Sequence, residues 1–99
     1  MAEVRLPAPV KATLVEDLDQ AEDIPGAIQP DLNSVGLITG LWYVCPCGCR
    51  TQGFLTVRNG QATVHPSWDW NPKDQSLSPS VHHVGHWHGY LKAGFWTQA

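Results

Sequence analysis

The residues best suited to chemistry are three cysteines in the run Cys45-Pro46-Cys47-Gly48-Cys49. Thiolates bind zinc at about 2.3 Å in tetrahedral sites. In a flat strand, alternate side chains lie roughly 6.6 Å apart, which is too far for two sulfurs on one ion. The intervening proline and glycine favour a tight turn. The run therefore predicts a metal-binding turn, the alternative being three small apolar residues in a core.

Histidines are the second group of candidate ligands. His86 and His88 lie two residues apart, so on a β-strand both rings would face the same side. Two cysteines with both histidines, or three cysteines with one histidine, would complete a four-ligand zinc site. His82 and His83 are adjacent, so at most one of them could join it. Because the two groups are far apart in sequence, we expect zinc to clamp two separate hairpins together.

The elements that position these ligands must come from the second part of the chain. Of the 99 residues, residues 1–40 contain two Lys or Arg against seven Asp or Glu. Residues 41–99 contain four against two, together with all nine aromatic residues. This asymmetry predicts an acidic N-terminal arm over residues 1–36 and a zinc-binding β domain over residues 37–99.

Local signals in the second part predict strands and hairpins. Residues 37–44 are apolar, β-branched and aromatic, which is typical of a buried strand. The pair Asn59-Gly60 predicts a hairpin turn. Residues 86–97 predict a second hairpin that turns at Lys92-Ala93-Gly94. Residues 66–80, with three prolines, predict an ordered loop or a broken strand.

In the acidic arm, the spacing Thr13-Leu14-Val15-Glu16 is that of a helix capping box and predicts one short helix from Leu14 to Asp23. The predicted fold class is thus mainly β. It consists of a small antiparallel sheet of hairpins clamped by one zinc ion, preceded by an acidic arm that can hold one short helix.

The size of the domain favours one structural Zn²⁺ as cofactor. A domain of ~60 residues buries only about 60% of its unfolded surface and often needs a disulfide or a metal. Three cysteines cannot all pair. The chain has no apolar run of the ~20 residues that span a bilayer and no signal-peptide pattern at its start. We therefore expect no membrane contact and a cytoplasmic location, where disulfides are disfavoured.

Three motifs in order carry a family resemblance: the cysteine run at 45–49, Ser76-Leu77-Ser78-Pro79-Ser80-Val81, and Trp87-His88-Gly89-Tyr90-Leu91 followed by Gly94. They resemble the small CPCGC proteins of unknown function that occur in phages and prophages and beside bacterial ubiquitin-like conjugation genes. The resemblance covers about residues 40–97 and implies a small β-rich zinc-binding domain. Relatives often have a cysteine where this chain has His86.

The favoured ligand set is Cys45, Cys47 and His88, completed by Cys49 or His86. The favoured function is a structural-zinc binding module, related to phages, that contacts a host or phage protein in the host cytoplasm or in a virion. One alternative is a zinc module for single-stranded nucleic acid, although four core cations are few for a phosphate track.

The other alternative is a zinc-dependent hydrolase with Asp69 as its base. The sequence favours the non-enzymatic function, because the core contains no Glu and lacks the patterns H-x-E and H-E-x-x-H. It assigns no catalytic residue and identifies no partner, substrate or oligomeric state.

Overall fold

A computed structural model describes residues 5–58 and 67–99, in which strands predominate over a single short 3₁₀ helix at Leu18–Gln20. This confirms the mainly β fold class. The strands are β1 (Val10–Lys11), β2 (Ile28–Leu32), β3 (Ile38–Val44), β4 (Gln52–Thr56), β5 (Asp69–Asn71), β6 (Ser76–Ser78), β7 (Val81–His83), β8 (Trp87–Lys92) and β9 (Phe95–Gln98).

The described strands form three antiparallel sheets. The largest has the order β1-β9-β8-β7, the second is β2-β3-β4, and the third is the pair β5-β6. In the second sheet, Trp42 at the centre of β3 pairs with Gln29 on β2 and with Phe54 on β4. The predicted strand over residues 37–44 and the predicted hairpin over residues 86–97 are both present, as β3 and as β8-β9.

Aromatic side chains join the two larger sheets in one core. Trp87 and Trp96, on β8 and β9, are fully buried, and their rings meet edge to face at 5.6 Å. Tyr43 of β3 is 3% exposed and packs on Trp96 with ring centroids 5.4 Å apart. Leu41 and Leu91 are buried in the same cluster of core side chains. Burial of large rings supplies much of the apolar area in a domain of this size.

The acidic segment, predicted as an arm that precedes the β domain, contributes strands and buried residues to this core. Its strands β1 and β2 pair with β9 and β3, and Ala27 and Ile28 are fully buried. The indole Nε1 of Trp96 donates to the carbonyl oxygen of Gly26 at 2.9 Å. The physical reason is that β3 and β9 would otherwise leave unpaired edges. The division into an arm over residues 1–36 and a domain over residues 37–99 stays a prediction.

The helix predicted over Leu14–Asp23 is wrong in extent. Leu14 forms a bridge to Ile28, and the N–H of Val15 donates to the carbonyl oxygen of Ile28 at 2.9 Å. These sheet-like bonds take the backbone groups that a helix would need. The 3₁₀ helix begins after Asp17, whose carboxylate accepts from the N–H of Asp19 at 3.1 Å.

The remaining predictions concern loops and membrane contact. The segment over residues 66–80 contains the β5-β6 hairpin, so it is ordered in its described part. The predicted Asn59-Gly60 turn and the strand after it lie outside the described residues. In the described ranges, no helix has the length and apolar character needed to cross a membrane.

Candidate active site and metal centre

The three thiols converge in the turn after β3. Their sulfur atoms all lie within 4.8 Å of one another, and Cys45 Sγ is 3.1 Å from Cys47 Sγ. The predicted turn is present: Gly48 and Arg50 have positive φ of 90° and 67°, which reverse the chain. Zn–S bonds of about 2.3 Å at a tetrahedral angle place two sulfurs about 3.8 Å apart, so sulfurs within 4.8 Å need only small side-chain adjustments to meet on one ion. The thiols therefore fit one metal ion.

The thiols differ in acidity because they differ in surroundings. Burial raises the pKa of the Cys45 thiol well above its ordinary value of 9.0. For Cys49, burial also acts to raise the pKa, but hydrogen bonds from the Thr51 hydroxyl and backbone and from the other thiols lower it to about 7. Cys49 Sγ lies 2.8 Å from Thr51 Oγ1. Cys49 thus ionises at a lower pH than Cys45.

We predict that iodoacetamide at pH 7 alkylates Cys49 before Cys45 in metal-free protein, by roughly tenfold or more, because the thiolate is the nucleophile. The rate should fall as the pH is lowered through the pKa of about 7. Peptide mass spectrometry after timed quenching measures both sites, and bound zinc should protect both. Earlier modification of Cys45 would contradict the order of acidity.

The candidate histidine ligands lie on opposite faces of the β7-β8 hairpin. His86 lies in the turn before β8, and its ring contacts that of His83 at 4.7 Å. His88 lies within β8 and contacts His82, its cross-strand partner, at 4.8 Å. Neighbouring residues on a strand face opposite sides, so His82 with His88 and His83 with His86 lie on opposite faces of the hairpin. The predicted convergence of His86 and His88 assumed that both lie on one strand; His86 precedes β8, and the ligand set stays a prediction.

The face with His86 is the one nearer to the thiols. The ring of Tyr43 meets His83 edge-on at 5.7 Å. Burial raises the pKa of Tyr43, and the neighbouring Cys45 and Cys49 raise it further. Burial lowers the pKa of His83 and the nearby His86 lowers it more. Among the described residues, the ligand atoms within 4.8 Å of one another are the three thiols, so the fourth ligand stays a prediction.

A serine and a histidine meet on the other face. Ser80 lies directly before β7, and its Oγ is 3.2 Å from Nε2 of His88. The indole of Trp68 donates to the carbonyl oxygen of Ser80 at 3.0 Å, and the Gln98 amide donates to that of His88 at 3.2 Å. Both backbones are therefore held, while both side chains are only half-buried. A hydroxyl at a basic nitrogen is the arrangement that activates a serine nucleophile.

A comparison with protein families relates the chain to a family described as serine proteases. A family model described as "Bacterial ubiquitination-like system serine protease (BubE)" matches residues 16–99, more than four fifths of the chain. The chain belongs to the BubE family. This match agrees with the predicted link between the chain and bacterial ubiquitin-like conjugation genes. No curated protein and no solved structure matches the chain significantly.

The BubE match directs attention to serines, which the sequence analysis did not assign to a site. Ser80 belongs to one of the three motifs of the resemblance, but it lacks the G-x-S-x-G pattern of many serine hydrolases. The missing information was the register of the β7-β8 hairpin, which sets His82 opposite His88 and so brings Ser80 within reach. A turn predicted at Val84-Gly85 could have revealed it.

Proposed function

We propose that this chain is a serine protease of a bacterial ubiquitination-like system, with Ser80 as nucleophile and His88 as general base. The observation that supports the proposal is the distance of 3.2 Å between Ser80 Oγ and His88 Nε2. The description of the BubE family names the reaction class. Among the described serines, Ser80 is the one whose hydroxyl lies at hydrogen-bond distance from a histidine ring.

The geometry allows the usual two steps of acyl transfer. Ser80 Oγ attacks the carbonyl carbon of the scissile amide while its proton passes to His88 Nε2. The same nitrogen returns the proton to the departing amine as the C–N bond breaks. Water then attacks the ester on Ser80 while His88 takes its proton, and His88 returns that proton to Ser80 Oγ as the C–O bond breaks and the carboxylic acid leaves. His82 contacts the ring of His88 and restricts its orientation.

The metal has a structural role in this proposal. Cys45, Cys47 and Cys49 would hold one zinc ion, with His86 as fourth ligand, because His86 lies on the face of Tyr43 and His83. His88 is assigned to Ser80 instead. Zinc bound to four protein ligands would supply folding free energy and no open coordination position for a substrate. The reaction is carried out on the opposite face of the hairpin.

The second candidate function is a zinc-binding module that recognises a protein without cleaving it, as the sequence favoured. The thiol cluster supports it equally, since a structural metal is compatible with either function. The partner in both cases is a protein of the ubiquitination-like system or of a phage, met in the cytoplasm. The nucleic-acid alternative is weaker, because the chain carries a net charge of −3.

A fluorophosphonate probe tests the proposal without requiring the natural substrate. An activated serine displaces fluoride from phosphorus and becomes a phosphonyl ester, which intact-mass spectrometry detects. We expect one adduct per chain, mapped to Ser80, and at least a hundredfold slower labelling in Ser80→Ala.

The matched control for this experiment is Ser78→Ala, which removes an exposed hydroxyl two residues earlier. This variant should react at the rate of the unmodified protein. A folded, metal-loaded protein that forms no adduct, or whose adduct persists in Ser80→Ala, would overturn the proposed nucleophile and favour the binding module.

A further inference from the structure

The outer face of the β2-β3-β4 sheet carries two aromatic rings that the core does not use. Trp42 and Phe54 form a cross-strand pair with ring centroids 4.6 Å apart, and they are 39% and 43% exposed. Gly40 has no side chain, and the ring of Phe54 lies where a Cβ on Gly40 would stand. Since Trp42 and Tyr43 are neighbours on β3, this face points away from Tyr43 and His83.

The same face adjoins a cleft with uncompensated negative charge. The cleft measures about 270 Å³, and Trp42 forms part of its wall together with Asp17, Leu18, Asp19, Gln29 and Gln52. The carboxylate of Asp19 accepts from Gln52 Nε2 at 2.8 Å, which orients it. Within residues 5–58 and 67–99, neither Asp17 nor Asp19 has a Lys or Arg within ion-pair distance.

We propose that this face binds a basic peptide segment of a protein partner, with one arginine side chain in the cleft. A guanidinium can accept the charge of the two carboxylates and stack on the indole of Trp42. Apolar side chains beside that arginine would cover the ring of Phe54. Asp31 is exposed on β2 opposite Gly40, two residues from Gln29 along the strand, and adds negative charge to the same face of the sheet.

Charge complementarity selects this occupant over others. Residues 1–40 have two basic against seven acidic side chains, so the acidic surroundings would repel nucleic acid and acidic peptides. The carboxylates attract an extended basic segment from distances up to about the Debye length. On contact, the segment then displaces water from the rings of Trp42 and Phe54. The inference does not depend on the chemistry at Ser80, which lies on the other sheet's hairpin.

The test is a titration of the isotopically labelled, metal-loaded protein with a five-residue peptide that holds two arginines around a leucine. The readout is the indole N–H signal of Trp42, assigned with Trp42→Phe. We expect a saturable shift, and affinity at least about fivefold weaker when Asp17→Asn and Asp19→Asn are combined. The same peptide with glutamates in place of arginines should not bind.

Two matched controls separate a built site from general attraction. Glu22→Gln with Asp23→Asn removes the same charge from exposed residues outside the cleft. Phe95→Ala removes a ring that is 44% exposed on β9 and should leave binding unchanged. Trp42→Ala should abolish binding, which is followed in this variant through the backbone amide signal of Gln52 in the cleft. A non-saturable shift, or equal weakening by the Glu22 and Asp23 pair, would overturn the proposal. Fluorophosphonate labelling of Ser80 should be unchanged in the Asp17 and Asp19 variant.

Discussion

Chelation of zinc from the purified protein is expected to lower the midpoint of thermal unfolding by about 20 °C or more. The reason is that the thiols of Cys45, Cys47 and Cys49 lie within 4.8 Å of one another, and the metal bonds form only in the folded chain. Elemental analysis should find about one zinc per chain. Differential scanning calorimetry before and after chelation measures the loss, and added zinc should restore it.

Variants separate the metal from simple packing. Cys45→Ser removes a ligand that is fully buried, so it should lower zinc content and the unfolding midpoint together. His86→Ala should do the same if His86 is the fourth ligand, whereas His88→Ala should retain zinc. A protein that contains no metal as purified and melts unchanged in chelator would show that the three cysteines are packing residues.

The second large effect is expected at the general base. His88→Gln should slow fluorophosphonate labelling of Ser80 by about 10²–10⁴-fold, because general-base catalysis contributes factors of this size. Glutamine can still bond to the hydroxyl across the 3.2 Å contact, but it cannot take the proton. The measurement is the second-order rate constant for adduct formation, followed by intact mass.

The matched control is His83→Gln. It replaces another histidine of the same hairpin, on β7 next to His82, the cross-strand partner of His88. His83 faces Tyr43 rather than Ser80, so this variant should label within about twofold of the unmodified rate. Equal loss in both variants would indicate a fold defect, which the unfolding midpoint would reveal. An unchanged rate in folded His88→Gln would exclude His88 as the base.

The N-terminal segment shows how far a composition argument reaches. Its acidity and its lack of rings predict a separate arm, but they do not exclude the segment from the core. Burial depends on which backbone edges need a partner, and β3 and β9 accept β2 and β1. Likewise, Leu14 forms a bridge to Ile28 because pairing with the sheet stabilises this segment more than a marginal ten-residue helix would.

The sequence by itself determined the mainly β class, the β3 strand, the β8-β9 hairpin and the thiol turn. Each of these follows from local rules, since β-branched runs, turn residues and i, i+2 spacing act over a few residues. The cysteines meet because only the short turn between Cys45 and Cys49 has to bend.

The tertiary structure alone decided the rest. Ser80 and His88 meet through the register of β7 and β8, whereas His86 lies in the turn before β8 with its ring against His83. A shift of one residue would exchange the faces of every side chain on a strand, and no local pattern specifies it. Packing in the core selects the register, because Val81 of β7 and Trp87 of β8 are buried in the same cluster.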